Sequence, residues 1–139
     1  MRTITKDMIK KYHIKKLGYD FMGYTFKRPD DLSFHHLIIA RKDSHDAGIG
    51  DGYLAWNGAI LNQRTSHDYL HIIEQIDREA FLEITKFMIM ENQKGELDLN
   101  LLWEIRKVLL AFEALHWNQV KTDGKPFIRE RYITNRIQI

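Results

Sequence analysis

The chain has 139 residues, with a hydrophobic share of 44% and a charged share of 29%, which fits one ordinary globular domain with its own core. It has no cysteine, so disulfides and thiolate metal sites are excluded, and a transition metal would have to be held by histidine and carboxylate. No apolar run approaches the roughly 20 residues of a membrane helix, and the first residues lack the apolar core of a secretion signal, so the expected location is cytoplasmic.

The formal net charge of +2 hides an asymmetry. Residues 1–28 carry Arg2, Lys6, Lys10, Lys11, Lys15, Lys16, Lys27 and Arg28 against Asp7 and Asp20. Residues 66–100 are acidic, and the last 19 residues return to positive with Lys121, Lys125, Arg129, Arg131 and Arg136. Basic ends around an acidic middle allow a polyanion to be held at the ends; single charges of this kind are otherwise solvated helix faces.

In chain order, residues 4–16 read as a short helix with Thr5 as N-cap and Gly18 as its stop. Pro29-Asp30-Asp31 marks a turn, and Ser33–Ile38 reads as a strand. Residues 41–52 read as a polar, glycine-rich loop. Gly52–Leu61 reads as a second strand bent at Asn57-Gly58, a strong turn signal. Ser66 is an N-cap candidate for a helix whose apolar stripe runs through Leu70, Ile73 and Ile76 or through Tyr69, Ile72, Ile73 and Ile76. Asp77 starts a second helix to about Asn92, with Phe81, Ile84 and Met88 inward. Asp98 or Asn100 starts a third, through Leu102, Ile105, Leu109, Phe112 and Leu115 to about Val120. Phe127–Ile139 is a basic tail of unassigned structure. The order predicts an α+β fold in a single domain spanning 1–139. There are no repeats and no Pro/Gly linkers to divide it.

The chemistry concentrates in one pattern: His35-His36, Asn57, then His67 and His71, spaced H-H-x20-N-x9-H-x3-H. His67 and His71 lie one helical turn apart on one face, close enough to chelate one ion. A preceding strand can add His35 or His36 but not both, because successive strand side chains point to opposite sides. One ring then binds metal and its neighbour stays available as a base. Phosphodiester hydrolysis uses that pairing of a Lewis acid with a neutral imidazole.

Phe34-His35-His36-Leu37, Trp56-Asn57-Gly58-Ala59-Ile60-Leu61 and Ser66-His67-Asp68-Tyr69-Leu70-His71 resemble the motif of the HNH endonucleases. The likeness is nearest to the colicin-nuclease variant with its double histidine. It covers about residues 31–75, and many similar proteins are small and come from bacterial or phage genomes. The resemblance implies a ββα-metal core, to which the N-terminal helix and the helical extension over about 77–120 read above are added. It implies that His35, His67 and His71 ligate a divalent ion, that His36 is the general base and that Asn57 braces the loop and orients the His36 ring. The partner would be DNA, held largely through its backbone. The family's first position is often Asp; a histidine there shifts preference from Mg²⁺ toward Zn²⁺, Ni²⁺, Co²⁺ or Mn²⁺. The paired cysteines that staple many HNH proteins are absent.

Other residues read more simply. His45, Asp43 and Asp46 suit a polar loop, although they could touch metal or substrate. His13 and His116 read as structural, Trp56 and Trp103 as core. Arg41 and Arg64 flank the motif and could hold a phosphate. The alternative function is a non-catalytic HNH-fold module, binding nucleic acid or protein, with a structural metal. Such a module has no use for a free imidazole at position 36.

Overall fold

The computed structural model describes residues 20–24, 31–94 and 98–122. The expected helix over residues 4–16 and the basic tail from Phe127 lie outside them. The described chain is α+β. A two-stranded antiparallel sheet pairs β1 (Leu32–His36) with β2 (Gly58–Asn62). Between the strands stand α1 (Arg41–Asp46) and a 3-10 turn, Ala55–Asn57. After β2 come a π-turn, Gln63–His67, then α2 (Asp68–Ile76), α3 (Arg78–Lys94) and α4 (Leu99–Thr122).

The strand register places Ser33 opposite Leu61, His35 opposite Ala59 and His36 opposite Gly58. Strand alternation puts Ser33 and His35 on one face and Phe34 and His36 on the other. The core joins Phe21, Ile60, Leu70, Ile73, Ile84, Met88, Ile105 and Phe112, so the sheet, α2, α3 and α4 share one apolar interior. Asp77 begins α3 by accepting from Ala80 N at 3.1 Å, and Asp98 begins α4 by accepting from Asn100 N at 2.8 Å. Both are N-caps, as aspartate favours.

A buried carboxylate fixes the junction that presents α2. Asp20, fully buried, accepts from Met22 N and Tyr24 N at 2.9 Å, from Asn62 N at 2.8 Å and from Ser66 Oγ at 2.5 Å. Burial pushes its carboxyl up from the ordinary value, against these four donors, which pull it down. The end of β2 and the π-turn are thereby tied to residues 20–24.

Several expectations need correction. The strand from Ser33 ends at His36 rather than Ile38, because the chain turns away where Asn57 takes the amides of Ile38 and Ile39. The second strand starts at Gly58 rather than Gly52. Residues 41–46 of the expected loop are helical. Ser66 is no N-cap: its hydroxyl is committed to Asp20, and Asn62 does the capping, accepting from Arg64 N at 3.2 Å. Trp56 and Trp103 are 49% and 41% exposed and not core; Trp103 carries Arg106 over its ring. Leu115 is exposed because the inward stripe Ile105–Leu109–Phe112 next falls on His116, where α4 kinks. His116 donates from Nε2 to Asp77 Oδ2 at 3.0 Å, tying the kink to the start of α3.

Candidate metal centre

His35, His67 and His71, the three that the resemblance groups together, converge in three dimensions. One ring nitrogen from each lies within 4.8 Å of the others. Their ring centroids are 5.3, 5.9 and 4.9 Å apart. β1 delivers His35 from the sheet; the end of the π-turn and the first turn of α2 deliver the other two. A metal–nitrogen bond near 2 Å sets ligand nitrogens roughly 3.4 Å apart in a tetrahedron, so small ring rotations close the set on one ion.

The hydrogen bonds around the rings fit a metal. His35 Nε2 is buried and has no hydrogen-bond partner among the described residues, a cost that a cation would remove. The Ser33 hydroxyl donates to Leu61 O at 3.3 Å, so it accepts from His67 Nδ1–H at 2.6 Å. That fixes the tautomer and leaves the His67 Nε2 lone pair for an ion. Likewise His71 Nδ1 donates to Glu74 Oε1 at 3.3 Å, one turn along α2. Burial, then the neighbouring imidazoles, push His35 down to about 3. Burial first, then His71, push His67 down to about 4. Both rings are therefore neutral and able to donate lone pairs at neutral pH.

His36 stands on the opposite strand face and outside this set. Its Nε2 lies 2.7 Å from Asp51 O. A carbonyl only accepts, so Nε2 carries the proton and Nδ1 keeps a lone pair. The ring packs edge-on against Phe34 and tilted against Tyr53. His36 lines one open cleft of about 560 Å³ together with His35, His67 and His71. Arg41 and Arg78 line the same cleft.

Asn57 is buried at the foot of β2 with all its bonds on backbone. Its Oδ1 accepts from Ile38 N and Ile39 N at 2.9 and 2.8 Å; its Nδ2 donates to Ile39 O and Gly52 O at 2.9 and 3.0 Å. It braces the segment after β1 and the end of the connecting loop. The hydrogen bond that orients the His36 ring comes from Asp51 instead.

His45 pairs with Asp51 rather than with the histidine cluster, and Asp43 and Asp46 are exposed on α1. Sequence reasoning misses Ser33, Glu74 and Asp51. Ser33 sits two residues before His35, hence on its strand face, and Glu74 sits three after His71, hence on its helix face; both spacings are signals that could have found them. Nothing in the sequence marks the Asp51 carbonyl. Comparison of the chain with protein-family models, curated proteins and solved structures returned no match.

Proposed function

We propose that this protein is a metal-dependent endonuclease of the HNH type that hydrolyses DNA phosphodiester bonds. On this reading the β1–β2 hairpin and α2 form the ββα-metal core, with His35, His67 and His71 as the metal ligands. The observation that carries the proposal is the division of labour among four imidazoles in one cleft. Three bring one ring nitrogen each within 4.8 Å of the others, and the fourth gives its Nε2–H to Asp51 O, which leaves the lone pair on Nδ1.

An all-imidazole set suits Zn²⁺, Ni²⁺ or Co²⁺ better than Mg²⁺. When bound, the ion supplies Lewis acidity to a phosphate oxygen and the leaving group. The chain's own residues do the rest. His36 Nδ1 takes the proton from the attacking water, and Asp51 O stabilises the imidazolium that forms by accepting from Nε2–H. Asn57 holds the backbone on both sides of that ring. Arg41 and Arg78 line the same cleft, and on this reading their charge would offset that of the phosphates flanking the scissile one. A purely structural metal would need the three ligands and leave the fixed tautomer of His36 without purpose.

DNA as substrate rests on the resemblance to HNH nucleases and on the basic stretches at the two ends of the sequence. No helix among the described residues is long and apolar enough to cross a membrane. Supercoiled plasmid incubated with the purified protein and a panel of divalent ions tests the reading. Relaxed or linear product with Zn²⁺, Ni²⁺, Co²⁺ or Mn²⁺, abolished by EDTA, is expected. No cleavage with any ion that the protein binds would leave the binding-module alternative ahead.

A further inference from the structure

The segment between the strands, residues 41–52, closes on itself around one backbone group. Arg41 and His45 stand four apart on α1 and so share a face. Arg41 Nε and His45 Nε2 both donate to Asp51 Oδ1, at 3.2 and 2.5 Å. The carbonyl of the same Asp51 accepts from His36 Nε2–H. Gly52 follows with φ +74°, and a Cβ there would meet Ser44 Oγ at 2.9 Å and His36 Cδ2 at 3.2 Å. Its carbonyl in turn accepts from Asn57 Nδ2. Residues 51 and 52 are thus wedged between α1 and the His36 ring and held from both sides.

Stability does not account for this arrangement. Arg41 and His45 are 59% and 56% exposed against 16% for the Asp51 side chain, and ion pairs whose basic partner stands in solvent add little to folding free energy. What they fix is the position of one carbonyl oxygen, and that oxygen sets which nitrogen of His36 is open.

We propose that α1 and the loop after it form a cradle for His36, in which Asp51 is a positioning residue and Arg41 and His45 are its anchors. The inference rests on the base role given to His36 above. The carboxylate holds the loop, the loop's carbonyl holds Nε2–H, and the lone pair stays on Nδ1. Gly52 is required because any side chain there enters the space of the ring and of Ser44.

The test reads the ring directly. Proton–nitrogen NMR spectra of the histidine side chains of the metal-free protein report the tautomer of His36 whether or not the protein cleaves anything. In the wild type His36 should show a protonated Nε2 and an unprotonated Nδ1. Asp51→Ala should give the tautomer mixture of an untethered imidazole, and Asp51→Asn, whose amide oxygen still accepts from Arg41 and His45, should restore the single form. Plasmid cleavage should fall about ten- to a hundredfold in Asp51→Ala, with metal affinity unchanged. If Asp51→Ala fails to fold, Arg41→Ala/His45→Ala, which removes both anchors from exposed positions, should produce the same mixing. An unchanged His36 tautomer in a folded variant overturns the cradle, even where His36→Ala abolishes cleavage. A wild type that binds divalent ions but cleaves no DNA, beside variants that show the tautomer change, removes the nuclease reading and leaves the cradle standing.

Discussion

With no ion on its histidine cluster, the protein should be sensitive to mild acid. His35 and His67 sit at about 3 and about 4 when folded, against 6.5 for an ordinary imidazole. The folded values are lower, so the unfolded chain binds more protons below 6.5. The associated stability is present above that pH and is lost as pH falls toward the folded values. At about pH 5 the unfolded rings are almost fully protonated and the folded ones are not, which costs about 2 kcal/mol for a single histidine. His67 is partly open to solvent, so its share is nearer ~1 kcal/mol, and the pair together should lose ~3 kcal/mol. Against a typical net stability of about 5–15 kcal/mol this is a large fraction. The assay is urea unfolding of chelator-treated protein at about pH 7.5 and about pH 5, with His35→Leu as control. The midpoint should fall clearly in the wild type, and the fall should shrink by more than half in His35→Leu. A midpoint that does not move, or a variant that keeps the whole slope, would refute the assignment of a buried, neutral His35.

Three further outcomes follow from the site. Ser33→Ala and Glu74→Gln should each weaken metal binding about ten- to a hundredfold in a calorimetric titration, because each frees a ligand ring to turn; His71→Ala should lose far more affinity while keeping its fold, since His71 is half exposed. Asn57→Ala strands backbone groups of Ile38, Ile39 and Gly52 and should cost about 2–4 kcal/mol in urea unfolding, with slower cleavage in the folded fraction. DNA binding should weaken steeply with salt if Lys10, Lys11, Lys15, Lys16, Arg129, Arg131 and Arg136 contact phosphates, and an affinity flat between 50 and 200 mM salt, roughly the range over which such contacts are lost, would contradict that role.

What the sequence reveals, and what it hides, divides along a physical line. Local spacing carries the two histidines at the start of α2 and the strand alternation that sends His35 and His36 to opposite faces; it leaves open which of the two joins the pair, and the resemblance to HNH nucleases selects His35, the one that the fold brings beside His67 and His71. The helices after the motif are also legible, because Asp77 and Asp98 are caps and Phe81–Ile84–Met88 keep one period. Long-range polar bonds are not. Ser66 looks like an N-cap until Asp20, 46 residues away, claims its hydroxyl. Residues 41–46 look like loop because α1 is short, polar and nearly all exposed; only Ser44 is buried in it. Trp56 and Trp103 suggest core by size alone, although large aromatics often remain partly exposed.

The central claim is that His36 does chemistry beside a metal it does not hold. The most direct test is plasmid cleavage by wild type and His36→Ala, with metal affinity measured on the same preparations. The account predicts equal metal binding and cleavage slower by about 10² to 10⁴-fold in the variant, the usual share of a general base. A metal-loaded His36→Ala protein that cleaves at the wild-type rate would contradict it.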